Sequence, residues 1–177
     1  MNEPFFGGLF ALMLGAVFGS FANVLIIRLK EASTLWGRSH CVHCKTVLKP
    51  HHLVPIISWL ALRGRCAFCQ KSIHFQYPLV EMAAACLTLI AFLRHDPIVF
   101  PHELSRFFFE MLFSIDLLVL VAFDLRWKLL PIEFMAVSAV IFGLWNLILG
   151  MPILSLLMGV LVGAGFLYLQ VFLSKGR

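Results

Sequence analysis

Cys41-Val42-His43-Cys44 and Cys66-Ala67-Phe68-Cys69 place four thiols in two CxxC pairs about twenty residues apart. Each pair can present two thiolates to one ion, and four sulfurs satisfy the tetrahedral preference of zinc. A site closed by four sulfurs has no open position for water, so its zinc folds a loop and activates nothing. A thioredoxin-like redox role would need a βαβ pattern, which is absent. His43 lies inside the first pair and is read as a bystander. Cys86 stands apart, within an apolar run, and is expected to be a small buried side chain.

The second set of chemically capable residues is carboxylic: Glu81, Glu110, Asp116 and Asp124 all lie in or at the edges of apolar runs. Ionisable groups are costly at such positions and are functional candidates by default. Asp124 stands out, because it closes an apolar run and is followed by Leu125-Arg126-Trp127-Lys128-Leu129-Leu130-Pro131. There it is open to water yet partly desolvated; an ion pair with Arg126 or Lys128 is the structural alternative. Asp116 lies about 12 Å further along a helix at 1.5 Å per residue and suits an interhelical hydrogen bond. Glu110 is read as structural. Glu81 either anchors the cysteine loop or lines a site.

The elements that position these groups follow from composition. The 177 residues are 61% hydrophobic and 13% charged, with mean hydropathy +0.95. Soluble domains average about 45–50% apolar and about 25% charged, so the chain is read as a membrane protein in contact with the lipid bilayer. Five stretches approach the roughly 20 apolar residues that span a bilayer: 4–27, 77–93, 107–123, 132–149 and 153–173. The first is no secretory signal peptide, since its opening residues carry Glu3 and no basic residue, and its apolar run is too long. Gly15 and Gly19 in that stretch stand at GxxxG spacing, which favours close helix packing.

Between the first two stretches, residues 28–74 hold Arg28, Lys30, Arg38, Lys45, Lys49, Arg63, Arg65 and Lys71 against the single acid Glu31. Basic residues stay on the cytoplasmic side. The N-terminus is therefore expected outside and the cysteine loop, Asp124 and the C-terminus inside, where reducing conditions favour metal over disulfides. Arg94 and Arg106 fall outside, accompanied by Asp96 and Glu103. The net charge of +5 reflects these loops and does not indicate nucleic acid. The expected architecture is all-α, about five transmembrane helices with a cytoplasmic zinc loop between the first two. Its parts are helix 1 over 1–28, the zinc loop over 29–75 and the membrane core over 76–177.

Several motifs in order carry a family resemblance. Gly19-Ser20-Phe21-Ala22-Asn23-Val24 with Arg28-Leu29, both CxxC pairs, Pro55 to Leu60, Arg63-Gly64-Arg65-Cys66 and Tyr77-Pro78-Leu79-Val80-Glu81 resemble the prepilin peptidases. These are the type IV leader peptidases, the bacterial A24 family. Asp124 with Leu130-Pro131 is similar to that family's first catalytic aspartate. The resemblance implies an aspartic endopeptidase of the bacterial inner membrane that cuts the leader from prepilins or pseudopilins. Many members then N-methylate the new terminus with S-adenosylmethionine, for which this sequence offers no separate motif.

Two departures accompany the resemblance. Where the family follows Leu-Pro with Asp, this chain has Ile132 and Glu133. The family's second aspartate, in a GxGD motif, has no counterpart after Asp124: Gly163-Ala164-Gly165 is followed by Phe166. The 177 residues are accordingly expected to resemble a shortened and inactive member. The competing expectation is a non-catalytic, zinc-stapled membrane scaffold. A small transporter is disfavoured, because no repeat symmetry is present.

Overall fold

The computed structural model describes residues 3–34, 37–95, 103–129 and 131–173. Among the described residues six α-helices follow one another, with one 3-10 turn at Pro50–His52 between the first two: α1 Glu3–Glu31, the short α2 Ile57–Ala61, α3 Gln76–His95, α4 Leu104–Trp127, α5 Ile132–Ile148 and α6 Ile153–Leu173. Among the described residues there is no strand, only two isolated antiparallel bridges, His40 with Val47 and Arg65 with Ser72. The chain divides into two compact units, residues 1–135 and 136–177.

The first unit is a packing of α1, α3 and α4 around Ile26, Ala84, Met111 and Val119, all at most 1% exposed. Helix α1 turns a stripe of small residues inward. A Cβ on Gly15 would lie 2.6 Å from the Ala84 carbonyl oxygen, and one on Gly19 would lie 2.7 Å from the Glu81 Cα. The GxxxG spacing therefore seats α1 directly on the backbone of α3, a contact that any larger residue would prevent. On its other side α1 exposes Phe6, Phe10, Met13, Val17 and Phe21. Small residues inside and large apolar ones outside suit a surface covered by lipid.

Among the described residues two helices, Phe5–Glu31 and Gln76–His95, are long and apolar enough to cross a bilayer. Helix α4 is interrupted by Glu110, Asp116 and Asp124, and α5 has only 17 residues. In the second unit, the end of α5 and the start of α6 expose Ile148, Leu154, Val160 and Leu161.

At one end of α3 and α4, polar side chains replace the apolar seam. Arg94 and His95 reach the Glu110 carboxylate at 2.6 and 2.7 Å, while His95 and Arg106 reach Glu103 at 3.2 and 3.0 Å. Glu110 is thus a structural staple. Asp96 lies outside the described residues, as do Leu130 and the terminal Lys175 and Arg177. Cys86 corrects one expectation: it is exposed. Helix α3 turns Glu81, Ala84, Ala85 and Thr88 inward, and Cys86 falls on the opposite side, where a bilayer would cover it.

Candidate metal centre and its adjoining cavity

The two CxxC pairs build two copies of one turn. In the first, the Cys41 N–H donates to the Thr46 carbonyl at 3.0 Å and the Lys45 N–H to the Cys41 carbonyl at 2.9 Å. In the second, Cys66 donates to Lys71 at 2.9 Å and Gln70 to Cys66 at 3.1 Å. Lys45 and Gln70, each directly after the second cysteine, share a left-handed φ of 57°. That conformation folds each chain back so that both thiols of a pair face one point.

All four Sγ atoms lie within 4.8 Å of one another, with Cys41 and Cys66 buried. They can hold one metal ion, and His43 is not among the ligand atoms. Their surroundings set the four thiols apart. The Thr46 hydroxyl and N–H hold the Cys44 thiol down at about 6. Although the Lys71 N–H pulls on Cys69, burial and the neighbouring sulfurs carry that thiol up to about 11. Four thiols this close cannot all ionise unless a cation offsets the charge.

Behind the cluster lies a cavity of about 640 Å³, bounded by the end of α1, the two cysteine turns, α2, the start of α3 and Arg126. Of its two expectations Glu81 meets the first, anchoring the cysteine loop, and it also stands in the lining of this cavity. It is 7% exposed, lines the cavity, and accepts the Ile56 N–H at 2.6 Å. Ile56 has φ 62° and ψ −51°, and the next N–H bonds back to the Pro55 carbonyl. This is a γ-turn of the rare, strained hand, on a β-branched residue. The Glu81 carboxylate is the group that holds it and so fixes the start of α2.

Other side chains tie the loop to the helices. Buried Arg28 donates to the carbonyls of Thr34 and Gly37 at 2.9 and 3.2 Å. The Trp59 indole N–H donates to Ile73 at 3.3 Å, and its ring occupies the space where a Gly64 Cβ would lie at 2.8 Å. Asn23, 2% exposed, donates through Nδ2 to the carbonyls of Gly19 and Tyr77 at 3.3 and 3.0 Å. Its Oδ1 has no partner. A buried acceptor left unpaired costs about 1–3 kcal/mol. Asn23, Trp59 and Tyr77 were not singled out in the sequence as site residues. Only their membership in ordered motifs pointed to them.

Asp124 is half-buried in the last turn of α4, where its backbone carbonyl accepts the Lys128 N–H at 2.7 Å. Lys128, with φ 55°, caps the helix. Arg126 turns instead to Gln76, at 3.0 Å, and packs 4.8 Å over the Trp127 ring. Asp124 does not line the cavity, whereas Arg126, two residues on, does. Asp116 is half-buried eight residues earlier on α4.

Residues 13–95, which hold both cysteine pairs, Asn23 and Glu81, match the bacterial Peptidase A24 N-terminal domain. Three similar proteins bear the name prepilin leader peptidase/N-methyltransferase. The one from Myxococcus xanthus is 37% identical over 79% of this chain and 41% of its own length. That from Dichelobacter nodosus is 32% identical over 72% and 51%. That from Bacillus subtilis is 32% identical over 90% and 62%. The chain thus spans about half the length of these relatives. No solved structure matches it. Residues 13–95 thus carry the bacterial Peptidase A24 N-terminal domain, and the chain is similar over most of its length to the prepilin leader peptidases.

Proposed function

We propose that this chain is part of a membrane enzyme that removes the leader from prepilins or pseudopilins and N-methylates the new terminus. The observation that carries the reading is the match of residues 13–95, including the cysteine cluster, to the A24 N-terminal domain. The names of its relatives supply the two activities. Zinc is the metal that four sulfurs favour, and Cys41, Cys44, Cys66 and Cys69 would hold it as a structural ion. It pins the loop over the ends of α1 and α3.

Cleavage is assigned to an aspartic mechanism with Asp124 as one of two carboxylates. Two carboxyls close together share a proton, so one can activate water while the other protonates the leaving amine. The second carboxylate belongs to the GxGD motif implied by the family resemblance. Five spans with the N-terminus outside would bring the zinc loop and Asp124 to the cytoplasmic face of the inner membrane, where prepilin leaders are presented. Two helices of spanning length and the Lys and Arg excess over residues 28–74 support that orientation.

S-adenosylmethionine supplies an electrophilic methyl group, its sulfonium ending as a neutral thioether while the accepting amine loses one proton to solvent. What supports such a group here is the N-methyltransferase in the relatives' names. The test is to join the chain to a segment carrying GxGD and to incubate it, zinc-loaded, with a prepilin in vesicles. Cleavage after the leader glycine is expected. Absence of processing by the intact, zinc-loaded protein would overturn the reading.

A further inference from the structure

Helix α2 has the wrong polarity for a helix that meets water. Ser58 and Trp59 face the cavity, while Ile57 and Leu60 on the other side are 65% and 61% exposed. The five residues Ile57–Ala61 carry no charge, and Val54, one turn earlier, is exposed as well. A short helix on a soluble surface turns polar side chains outward. The depth of α2 along the bundle is set by the Ile56 N–H, which reaches the Glu81 carboxylate at 2.6 Å. Glu81 stands in the second turn of α3, about 7.5 Å of helix rise past Gln76. The loop has therefore come back to the level of the first turns of α3 before α2 begins. There the Trp59 ring packs edge-on against Phe75, with centroids 5.7 Å apart. Phe75 heads a stripe of exposed apolar side chains, Leu79, Met82, Ile90 and Leu93, along one face of α3. The outer face of α2 continues that stripe sideways, and exposed Arg63 and Arg65 follow it in the chain.

We propose that α2 lies in the interface of the bilayer, with Val54, Ile57 and Leu60 in the edge of the hydrocarbon layer and Arg63 and Arg65 at the lipid phosphates. The inference rests on the membrane placement of α1 and α3, and adds to it a contact made by the cysteine loop itself. An apolar helix face at an interface sinks about 5–10 Å into the boundary between headgroups and acyl chains. Arginines beside it gain from the negative surface of anionic lipids. The strained turn at Ile56 thereby acquires a purpose. Glu81 holds that turn, and the turn sets the depth at which α2 begins. A loop anchored in this way keeps the cysteine cluster against the bilayer surface instead of free to lift from it.

Photo-cross-linking of the full chain in vesicles of phosphatidylethanolamine and phosphatidylglycerol tests the proposal. A benzophenone amino acid replaces Ile57, Leu60, Met82 or Lys45, one at a time. All four side chains are exposed, so the probe is accommodated without repacking. After irradiation, intact-mass spectrometry should find phospholipid adducts with the probe at Ile57, Leu60 and Met82. The probe at Lys45, on the first cysteine turn, should give none. Lipid capture at Met82 but at neither Ile57 nor Leu60 would overturn the proposal and leave the membrane placement of α3 standing. Capture of a second copy of the chain at Ile57 and Leu60, in place of lipid, would do the same. Equal lipid capture at Lys45 would also overturn it, because α2 would then be no closer to the bilayer than the rest of the loop. Absence of lipid adducts even at Met82 would bring down the membrane placement and the proposal together.

Discussion

At the scale of single residues, the four cysteines and Glu81 divide the work of fixing the loop. The sulfurs converge within 4.8 Å, so a metal held there would draw both turns together and its binding energy would become folding energy. Purified protein is expected to contain one zinc per chain by elemental analysis. Cys69→Ser should reduce this to near zero and leave residues 39–73 open to protease. Full metal loading in that variant would count against the four-sulfur site. Glu81 acts on the other side of the loop, through one hydrogen bond to a strained turn. A charge-assisted bond of this kind contributes about 1.5–3 kcal/mol. Glu81→Ala is therefore expected to release the Ile56 turn and speed amide exchange across Ile57–Ala61, with zinc retained. Unchanged exchange there would mean that Pro55 and Ser58 hold the turn unaided.

At the scale of elements, the seam between α1 and α3 is the part most exposed to single substitutions. Gly15 and Gly19 rest on backbone atoms, which cannot swing aside as a flexible side chain would. Overpacking of this sort costs about 1–3 kcal/mol, so Gly15→Val should lower the unfolding midpoint in detergent. Gly143→Ala should not, because nothing lies within 4 Å of the Cβ it would add. Equal effects would deny the seam its role. The helices themselves were legible from hydropathy: the apolar runs at 77–93 and 107–123 became Gln76–His95 and Leu104–Trp127. GxxxG spacing likewise announced the close packing. What the sequence hid were features set by backbone torsion and by long-range pairing. The left-handed Lys45 and Gln70 carry no glycine to mark them, and Ile56 is among the residues least suited to positive φ. The face taken by Cys86 depends on which side of α3 meets α1, and composition is silent on that.

At the scale of the whole molecule, the proposed membrane orientation and the proposed aspartic catalysis are one question, because such a site must face the compartment that holds its substrate. With Cys86 replaced by Ala to remove the lipid-side thiol, single cysteines placed at Ser39 and Lys128 should label only from the cytoplasmic side. Periplasmic labelling of either would reverse the topology. Catalysis then depends on how many carboxylates stand at that face. Within these 177 residues the only acid after Asp124 is Glu133, in the first turn of α5. A lone Asp can serve as acid or as base toward one water, and general acid–base help of this kind is worth about 10²–10⁴-fold. The 177-residue polypeptide by itself is therefore expected to leave prepilin uncut, and the same polypeptide joined to a GxGD segment to cleave it. Asp124→Asn in the joined protein should lower the rate by about 10²–10⁴-fold, with zinc content and fold unchanged. The informative control is Glu133→Gln in the 177-residue form. Processing by that form which disappears with Glu133→Gln would make Glu133 the partner of Asp124. Processing that survives the substitution would show that a second carboxylate outside the family pattern does the work.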